Sequence, residues 1–271
     1  MVYIVLILVS CLKKTTLAFV HLHPEPCALS LVPCTFIFME IKFAKYLISN
    51  ADYKQCPKPD RSEYAFIGRS NVGKSSLINM LCNNSKLAKI SSTPGKTQLI
   101  NHFEIFSSPS TFGRQRLAIG RRRLAEGDAG GGKGEAWYLV DLPGYGYAAT
   151  VSQKQRRNWS LMIEEYIRKR KNLACLFVLI DGRQKPQIAD IEFINKLGEW
   201  RVPFVLLFTK SDKNKPGETE NHIKAFIQAL IQTWEKIPRC FIVSSITKTG
   251  RRALLEYISG LNQRFKSGSR E

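Results

Sequence analysis

Acidic residues are scarce in this chain. Its 271 residues include 22 Asp and Glu against 41 Lys and Arg, which gives a formal net charge of +19. This imbalance indicates a polyanionic partner, either nucleic acid or an anionic membrane surface, because summed positive charge raises the local affinity for both. A basic surface that is merely solvated is the alternative. The hydrophobic fraction of 44% excludes wholesale disorder, and the length fits one large or two small domains.

The chain also lacks any Cys-x-x-Cys pair. Its cysteines are odd in number and scattered, so their pattern indicates neither a disulfide framework nor a zinc site. They are Cys11, Cys27, Cys34, Cys56, Cys82, Cys175 and Cys240. A reducing, cytoplasmic compartment is the simplest fit to this pattern.

No long hydrophobic run is present near the N-terminus. Val2–Leu12 is apolar over about eleven residues, short of the ~20 that span a bilayer, so we expect no stable membrane insertion. Lys13 and Lys14 follow this run instead of preceding it, which fits a secretory signal poorly. We interpret residues 1–38 as an N-terminal appendage, one reading of which is an upstream start that the native protein does not use. A targeting or membrane-associating extension is the alternative.

From about Ser62, short apolar runs alternate with amphipathic stretches. This alternation predicts an α/β fold with a mostly parallel six-stranded sheet and helices on both faces. The predicted strands are Glu63–Gly68, Leu99–Ser107, Trp137–Asp141, Ala174–Asp181, Pro203–Thr209 and Cys240–Ser245. The predicted helices are Lys74–Cys82, Ser152–Lys171, Gln187–Trp200, Thr219–Lys236 and Arg251–Phe265. We expect one domain over residues 39–265, followed by a tail over 266–271.

A basic, glycine-rich segment at about 107–135 interrupts this rhythm. It lacks a strand pattern, so we interpret it as an inserted loop that joins two neighbouring strands. It is either a tolerated surface insertion or an arm that contacts RNA.

The most specific motif is Gly68-Arg69-Ser70-Asn71-Val72-Gly73-Lys74-Ser75, which matches the phosphate-loop pattern G-x-x-x-x-G-K-[ST]. It follows a predicted strand and opens a predicted helix. Glycines let backbone N–H groups surround phosphates, and the helix N-terminus adds partial positive charge. Lys74 is expected to reach the β- and γ-phosphates, and the Ser75 hydroxyl to bind Mg²⁺.

Guanine selectivity is indicated by Thr209-Lys210-Ser211-Asp212, at the end of a later strand. A carboxylate at Asp212 accepts hydrogen bonds from N1–H and the 2-amino group of guanine. Adenine lacks this pair of donors and would leave a buried carboxylate unpaired. Ser244-Ser245 is expected to turn backbone N–H groups toward the guanine oxygen, and Val243 belongs to the same segment.

Asp141-Leu142-Pro143-Gly144 ends another predicted strand. The carboxylate of Asp141 is suited to holding Mg²⁺ through water, and the N–H of Gly144 to sensing a γ-phosphate. Thr97 lies between the phosphate loop and Asp141 and is expected to give a second hydroxyl to Mg²⁺ when triphosphate is bound. We assign catalytic roles to Lys74, Thr97 and Gly144.

With these motifs in place, residues from about Met39 to Asn262 resemble the EngB family of bacterial GTPases. The resemblance rests on Gly68–Asn79, on Ser92-Thr93-Pro94-Gly95-Lys96-Thr97-Gln98, and above all on Val140-Asp141-Leu142-Pro143-Gly144-Tyr145-Gly146-Tyr147-Ala148. It implies a Ras-like P-loop GTPase domain that binds GTP or GDP with Mg²⁺. It also implies a role in assembling the large ribosomal subunit and in normal cell division and septation. Residues Ser76, Gly95, Lys96, Gln98 and Leu99 then join the nucleotide site.

The same resemblance gives expectations for the hydrolysis reaction and for the binding partners. Tyr145 stands where Ras-like enzymes place a water-orienting Gln, and similar GTPases use an Asn at the place of Asn71 to hold K⁺. We therefore expect slow intrinsic hydrolysis, stimulated by K⁺ or by the ribosomal particle. The expected partners of this monomer are a large-subunit precursor and its rRNA, which the basic helix Ser152–Lys171 could contact. A GTP-dependent scaffold in cell division or at the membrane, without a direct rRNA role, is the alternative.

Overall fold

The computed structural model describes residues 37–89, 99–111, 134–146 and 152–268. Its sheet contains strands in the order β1-β3-β4-β2-β5-β6-β7. The strands are β1 Ile37–Asn50, β2 Glu63–Gly68, β3 Ile100–Thr111, β4 Glu135–Asp141, β5 Leu173–Asp181, β6 Phe204–Thr209 and β7 Cys240–Ile242. The helices are α1 Lys74–Cys82, α2 Gln153–Lys169, α3 Ile188–Glu199, α4 Glu218–Ile231 and α5 Arg251–Ser267. Within these ranges, no helix has the length and apolar character needed to cross a membrane.

The centre of the sheet is parallel and covered on both faces. Strands β4, β2, β5, β6 and β7 pair in parallel, and every residue of β2 is buried. On one face Phe66 packs with Leu77 of α1 and Leu254 of α5. On the other face, Val178 packs with Ile163 of α2 and Ile194 of α3. Continuous apolar runs such as Leu176–Ile180 arise because such strands have no solvent side, and the predicted fold class is confirmed.

Among the described residues, the sheet has seven strands, one more than the six predicted. The additional strand is β1, an antiparallel partner of β3 that begins two residues before the expected domain start. Its register shifts between Ile41 and Phe43 and again between Tyr46 and Ile48. A β-bulge adds an extra residue and breaks the alternation of inward and outward side chains. The prediction depended instead on short apolar runs, and β1 mixes apolar residues with Glu40, Lys42 and Lys45, so this strand was missed.

The predicted insertion at 107–135 is shorter than the sequence suggested. Strand β3 continues to Thr111, paired with β1, and Glu135 already pairs with Ser107 at the start of β4. Residues 112–133 of the insertion lie outside the described part of the chain. At the other end, α5 runs to Ser267, so the expected tail at 266–271 begins within this helix. The shorter insertion and the longer helix were both missed because strand pairing and the last turn of a helix leave little trace in the hydrophobic pattern of the sequence.

Candidate nucleotide-binding site

Three of the predicted motifs begin where parallel strands end. Strand β2 ends at Gly68, β4 at Asp141 and β6 at Thr209. Because parallel strands have their carboxyl ends at the same edge of a sheet, these motifs converge on one site. The structure brings Lys74 to Asp141, and Thr209 to the backbone of Val72.

The loop between β2 and α1 turns through left-handed backbone conformations. Asn71 has φ 61° and Gly73 has φ 101°, and a side chain at φ near +100° is strained. A Cβ atom on Gly68 would lie 2.8 Å from the carbonyl oxygen of Leu179, so the loop is seated directly on β5. The first turn of α1 then presents N–H groups that lack helical acceptors, as an anion site requires. Ser70, Ser75 and Ser76 are half-buried around this turn.

Lys74 and Asp141 form a buried ion pair within this site. The ammonium nitrogen lies 2.5 Å from Oδ1 of Asp141, and the two side chains are 9% and 4% exposed. Burial raises the pKa of the Asp141 carboxyl above its ordinary value, and the charge and hydrogen bond of Lys74 oppose this rise. The cation expected to meet phosphate and the anion expected to meet Mg²⁺ therefore lie side by side.

The donors near Asp141 suit a hard cation that phosphate helps to hold. The Asp141 carboxylate and the Ser75 hydroxyl are oxygen donors of the kind that Mg²⁺ prefers, and this ion usually keeps waters and substrate phosphates as its other ligands. In the described residues, no group of three or more His, Cys, Asp and Glu is arranged to hold a metal by itself. The residues present therefore fit a Mg²⁺ ion carried by a nucleotide.

Gly144 lies against the phosphate loop. A Cβ atom on Gly144 would stand 2.6 Å from the carbonyl oxygen of Gly68, so a larger residue would push the two segments apart. The backbone N–H of Leu142 donates to the carbonyl oxygen of Phe66 at 3.0 Å, which fixes this segment to β2. Pro143 lies between Leu142 and Gly144. This brings the backbone of Gly144 to the edge where a terminal phosphate would lie.

The segment after β6 braces the phosphate loop from the other side. The Thr209 hydroxyl donates to the carbonyl oxygen of Val72 at 2.8 Å. Lys210 donates from Nζ to the carbonyl oxygen of Asn71 at 2.5 Å and to Oδ2 of Asp181 at 3.0 Å. Lys210, which directly follows β6, therefore connects the phosphate loop to the end of β5.

Asp212 lies in a single 3₁₀ turn, Ser211–Lys213, beside the segment that follows β7. Its Oδ1 accepts a hydrogen bond of 2.6 Å from the Ser244 hydroxyl, and Ser244 Oγ accepts from the backbone N–H of Thr247 at 3.1 Å. Ser211 contacts the carbonyl oxygen of Val243 at 3.4 Å. Ser244 is fully buried and Ser245 half-buried. The two segments predicted to recognise the base are therefore in direct contact.

Asp181, at the end of β5, was not predicted as a site residue. Burial alone would raise the pKa of its carboxyl, but hydrogen bonds from Arg183 and Lys210 outweigh burial and lower the pKa from 3.8 to about 2. The signal available in the sequence was its place, since an Asp that ends an apolar strand lies at the same edge as the motifs.

The remaining predicted residues divide between two groups. Gly95, Lys96, Thr97 and Gln98 lie outside the described residues, and Leu99 is exposed immediately before β3. Tyr145, expected to fail as a water-orienting group, has its hydroxyl directed to Oδ1 of Asp190 at 2.9 Å. The side chain of Tyr145 is buried.

Comparison with known proteins gives one consistent result. Residues 63–210 match the family model described as a 50S ribosome-binding GTPase. The chain is 44% identical over 229 residues to the "Probable GTP-binding protein EngB" of Phocaeicola vulgatus, covering 84% of this chain and 100% of that protein. It is 47% identical to the protein of the same name from Porphyromonas gingivalis strain ATCC 33277, covering 83% and 98%. Among solved structures, Era in complex with MgGDPNP and 16S ribosomal RNA nucleotides superimposes with a TM-score of 0.51 at 17% identity, over 74% of this chain and 56% of that one. This last similarity concerns the fold.

Proposed function

The chain belongs to the EngB family of GTP-binding proteins, and on this premise we propose that it is a GTP-dependent switch in assembly of the large ribosomal subunit. Membership of this family makes the chain a GTP-hydrolysing enzyme. The observation that carries the switch is the close approach of Gly144 to the phosphate loop. A terminal phosphate at that place changes what the segment after Gly144 can contact, and its loss on hydrolysis reverses the change.

The nucleotide is held by residues at the shared strand edge. The backbone of Gly68–Ser76 surrounds the phosphates, and Lys74 leaves Asp141 to bind the β- and γ-phosphates. Asp212 accepts from the guanine base, while Ser244 holds that carboxylate in place. Lys210 keeps the loop against β5 by binding the carbonyl oxygen of Asn71. The segment Gly95–Leu99 would complete the site when triphosphate is bound.

Mg²⁺ would be held by Ser75 and, through water, by Asp141, with Thr97 as a further hydroxyl. When bound, the ion would supply positive charge that offsets the negative charge developing as the γ-phosphate leaves. Asp141, which lies beside Lys74, would offer its carboxylate to this contact. K⁺ beside the phosphates, with Asn71 as one ligand, would supply positive charge that an arginine supplies in other enzymes of this type.

A ribosomal partner is supported by charge and by the match to a family of 50S ribosome-binding GTPases. Helix α2 follows the Gly144 segment and carries exposed cations at Lys154 and Arg157. Arg168 and Lys169 are also exposed, although each pairs with a Glu one turn earlier. Arg170 does not belong to this surface, because it is buried against Glu63. The cationic surface is therefore concentrated at the N-terminal half of α2.

Cosedimentation tests this proposal. The chain, loaded with a non-hydrolysable GTP analogue, is centrifuged with large-subunit precursors through a sucrose gradient at moderate salt. We expect cosedimentation with the analogue and much less with GDP. The double variant Lys154→Glu/Arg157→Glu should abolish it. The control Lys224→Glu/Lys236→Glu makes the same change of charge at exposed positions of α4 and the segment after it, and should not.

Wild-type chain that stays at the top of the gradient in both nucleotide states would overturn the ribosomal role. The alternative is then a GTP-dependent scaffold in cell division or at a membrane. We propose that the septation phenotype implied by the resemblance follows from failed ribosome assembly. If so, depletion of the chain should cause large-subunit precursors to accumulate before septa are lost, and the reverse order would favour the scaffold.

A further inference from the structure

Asp190 lies in the first turn of α3, with 1% of its surface exposed. Its carboxylate accepts a hydrogen bond of 2.9 Å from the hydroxyl of Tyr145. It also accepts from Nε of Arg69, at 3.1 Å to Oδ1 and 3.2 Å to Oδ2. A buried carboxylate is costly unless donors compensate it, and here the donors come from two separate segments of the nucleotide site.

These two segments are the phosphate loop and the segment that senses the terminal phosphate. Arg69 is the second residue of the loop, and Tyr145 directly follows Gly144. Their backbones also pair as an isolated parallel bridge. The ring of Tyr145 stacks on Phe193 of α3, with ring centres 4.2 Å apart and planes at 18°. Helix α3 thus holds Tyr145 by both its ring and its hydroxyl.

The contacts leave Gly144 little freedom. Its backbone is already confined by the carbonyl oxygen of Gly68 on one side, and Tyr145 anchors the next residue. Arg69 donates from Nη2 to Gln184 at 2.9 Å, which fixes the guanidinium to the loop before α3. In the described part of the chain, removing one of these donors would leave the buried charge with only the other and loosen Gly144 relative to the phosphate loop.

We propose that Asp190 is a positioning residue for GTP hydrolysis: through Tyr145 and Arg69 it sets the distance of the Gly144 backbone from the γ-phosphate. It favours GTP over GDP, because only GTP has a phosphate that Gly144 contacts. This inference rests on the nucleotide site proposed above. It also gives Tyr145 a role other than orienting water, namely to anchor the phosphate-sensing segment to α3.

The test compares Tyr145→Phe and Asp190→Asn with Tyr166→Phe. The first removes one hydroxyl and keeps the ring that stacks on Phe193. The control removes the hydroxyl of Tyr166, which is also buried and donates to a carboxylate, that of Glu63, at the other end of β2. For each purified protein, the affinities for a fluorescent GTP analogue and for fluorescent GDP are measured by titration. The kcat and KM of GTP hydrolysis and the midpoint of urea unfolding are measured as well.

We expect Tyr145→Phe to lower the ratio of GTP to GDP affinity by about tenfold and to lower kcat, since a hydrogen bond to a charged group is lost. GDP affinity should remain unchanged. Asp190→Asn should act in the same direction, and Tyr166→Phe should lower only the urea midpoint. A merely structural role predicts that Tyr145→Phe resembles Tyr166→Phe, and that result would overturn the inference. Wild-type chain that binds neither nucleotide would instead contradict the proposed site.

Discussion

The ammonium group of Lys74 lies 2.5 Å from Oδ1 of Asp141, at the junction of the phosphate loop and the end of β4. Both charges are buried, so each compensates the other. Triphosphate would take over Lys74, and its metal ion would take over Asp141. Exchange of partners at this pair then links nucleotide binding to the position of the segment that follows Asp141.

Loss of both members of this pair should cost less than the sum of the two single losses. Lys74→Ala leaves a buried carboxylate uncompensated, which typically lowers the free energy of unfolding by about 3–5 kcal/mol. We expect Lys74→Ala/Asp141→Ala to be more stable than the sum of the single variants predicts, by about 1–3 kcal/mol. Urea unfolding of the four nucleotide-free proteins measures this coupling. Additive free energies would show that the two charges do not depend on each other.

Base selectivity should change with Asp212. Asp212→Asn replaces an acceptor of two guanine hydrogen bonds with an amide, which suits the carbonyl of xanthine better. We expect GTP affinity to fall by at least about tenfold and XTP affinity to rise. Ser244→Ala is the matched variant, because it removes only the hydroxyl that holds the Asp212 carboxylate. It should weaken GTP binding and keep the preference for guanine. Retained GTP selectivity in Asp212→Asn would contradict this assignment.

Asp181 should make stability depend on pH. Its pKa is about 2 in the folded chain against an ordinary value of 3.8. A carboxyl whose pKa is lower in the folded state stabilises the chain above the unfolded value, and this stabilisation is lost as pH falls through the folded value. We expect Asp181→Asn to be less stable than wild type by about 2 kcal/mol at pH 6.

The difference between Asp181→Asn and wild type should shrink as pH falls from 4 toward 2 in urea unfolding. Glu256→Gln serves as the control, because it alters an exposed ion pair on α5 that contributes little to stability. Its difference from wild type should stay small at every pH. A gap for Asp181→Asn that is constant across this range would show that Asp181 acts through shape alone.

The parts of the fold that were predicted correctly depend on neighbours in sequence. Strand β2 and helix α1 have the predicted bounds, because an apolar run followed by a phosphate-loop pattern specifies both. What was missed depends on distant partners. The partner of Arg69 is Asp190, 121 positions away, and β1 is specified by pairing with β3 across two bulges. Neither relationship leaves a local pattern in the sequence.

Asn71 should make hydrolysis respond to the monovalent cation. It occupies an exposed position in the phosphate loop with φ 61°, a conformation that Asn tolerates better than most side chains. Its carbonyl oxygen is held by Lys210, so the loop keeps its path when the side chain changes. We expect kcat to be higher in K⁺ than in Na⁺ for wild type, and the two rates to become equal in Asn71→Ala. The reason is that added positive charge beside the leaving phosphate stabilises the transition state. Asn71→Asp is the matched variant, since its carboxylate keeps an oxygen at the place of the proposed ligand. It should retain the response to K⁺.

Phosphate release measured in matched KCl and NaCl buffers tests for the K⁺ site, and GDP affinity checks that the phosphate loop is intact. Equal rates in both salts for wild type, unchanged by Asn71→Ala, would exclude a K⁺ site.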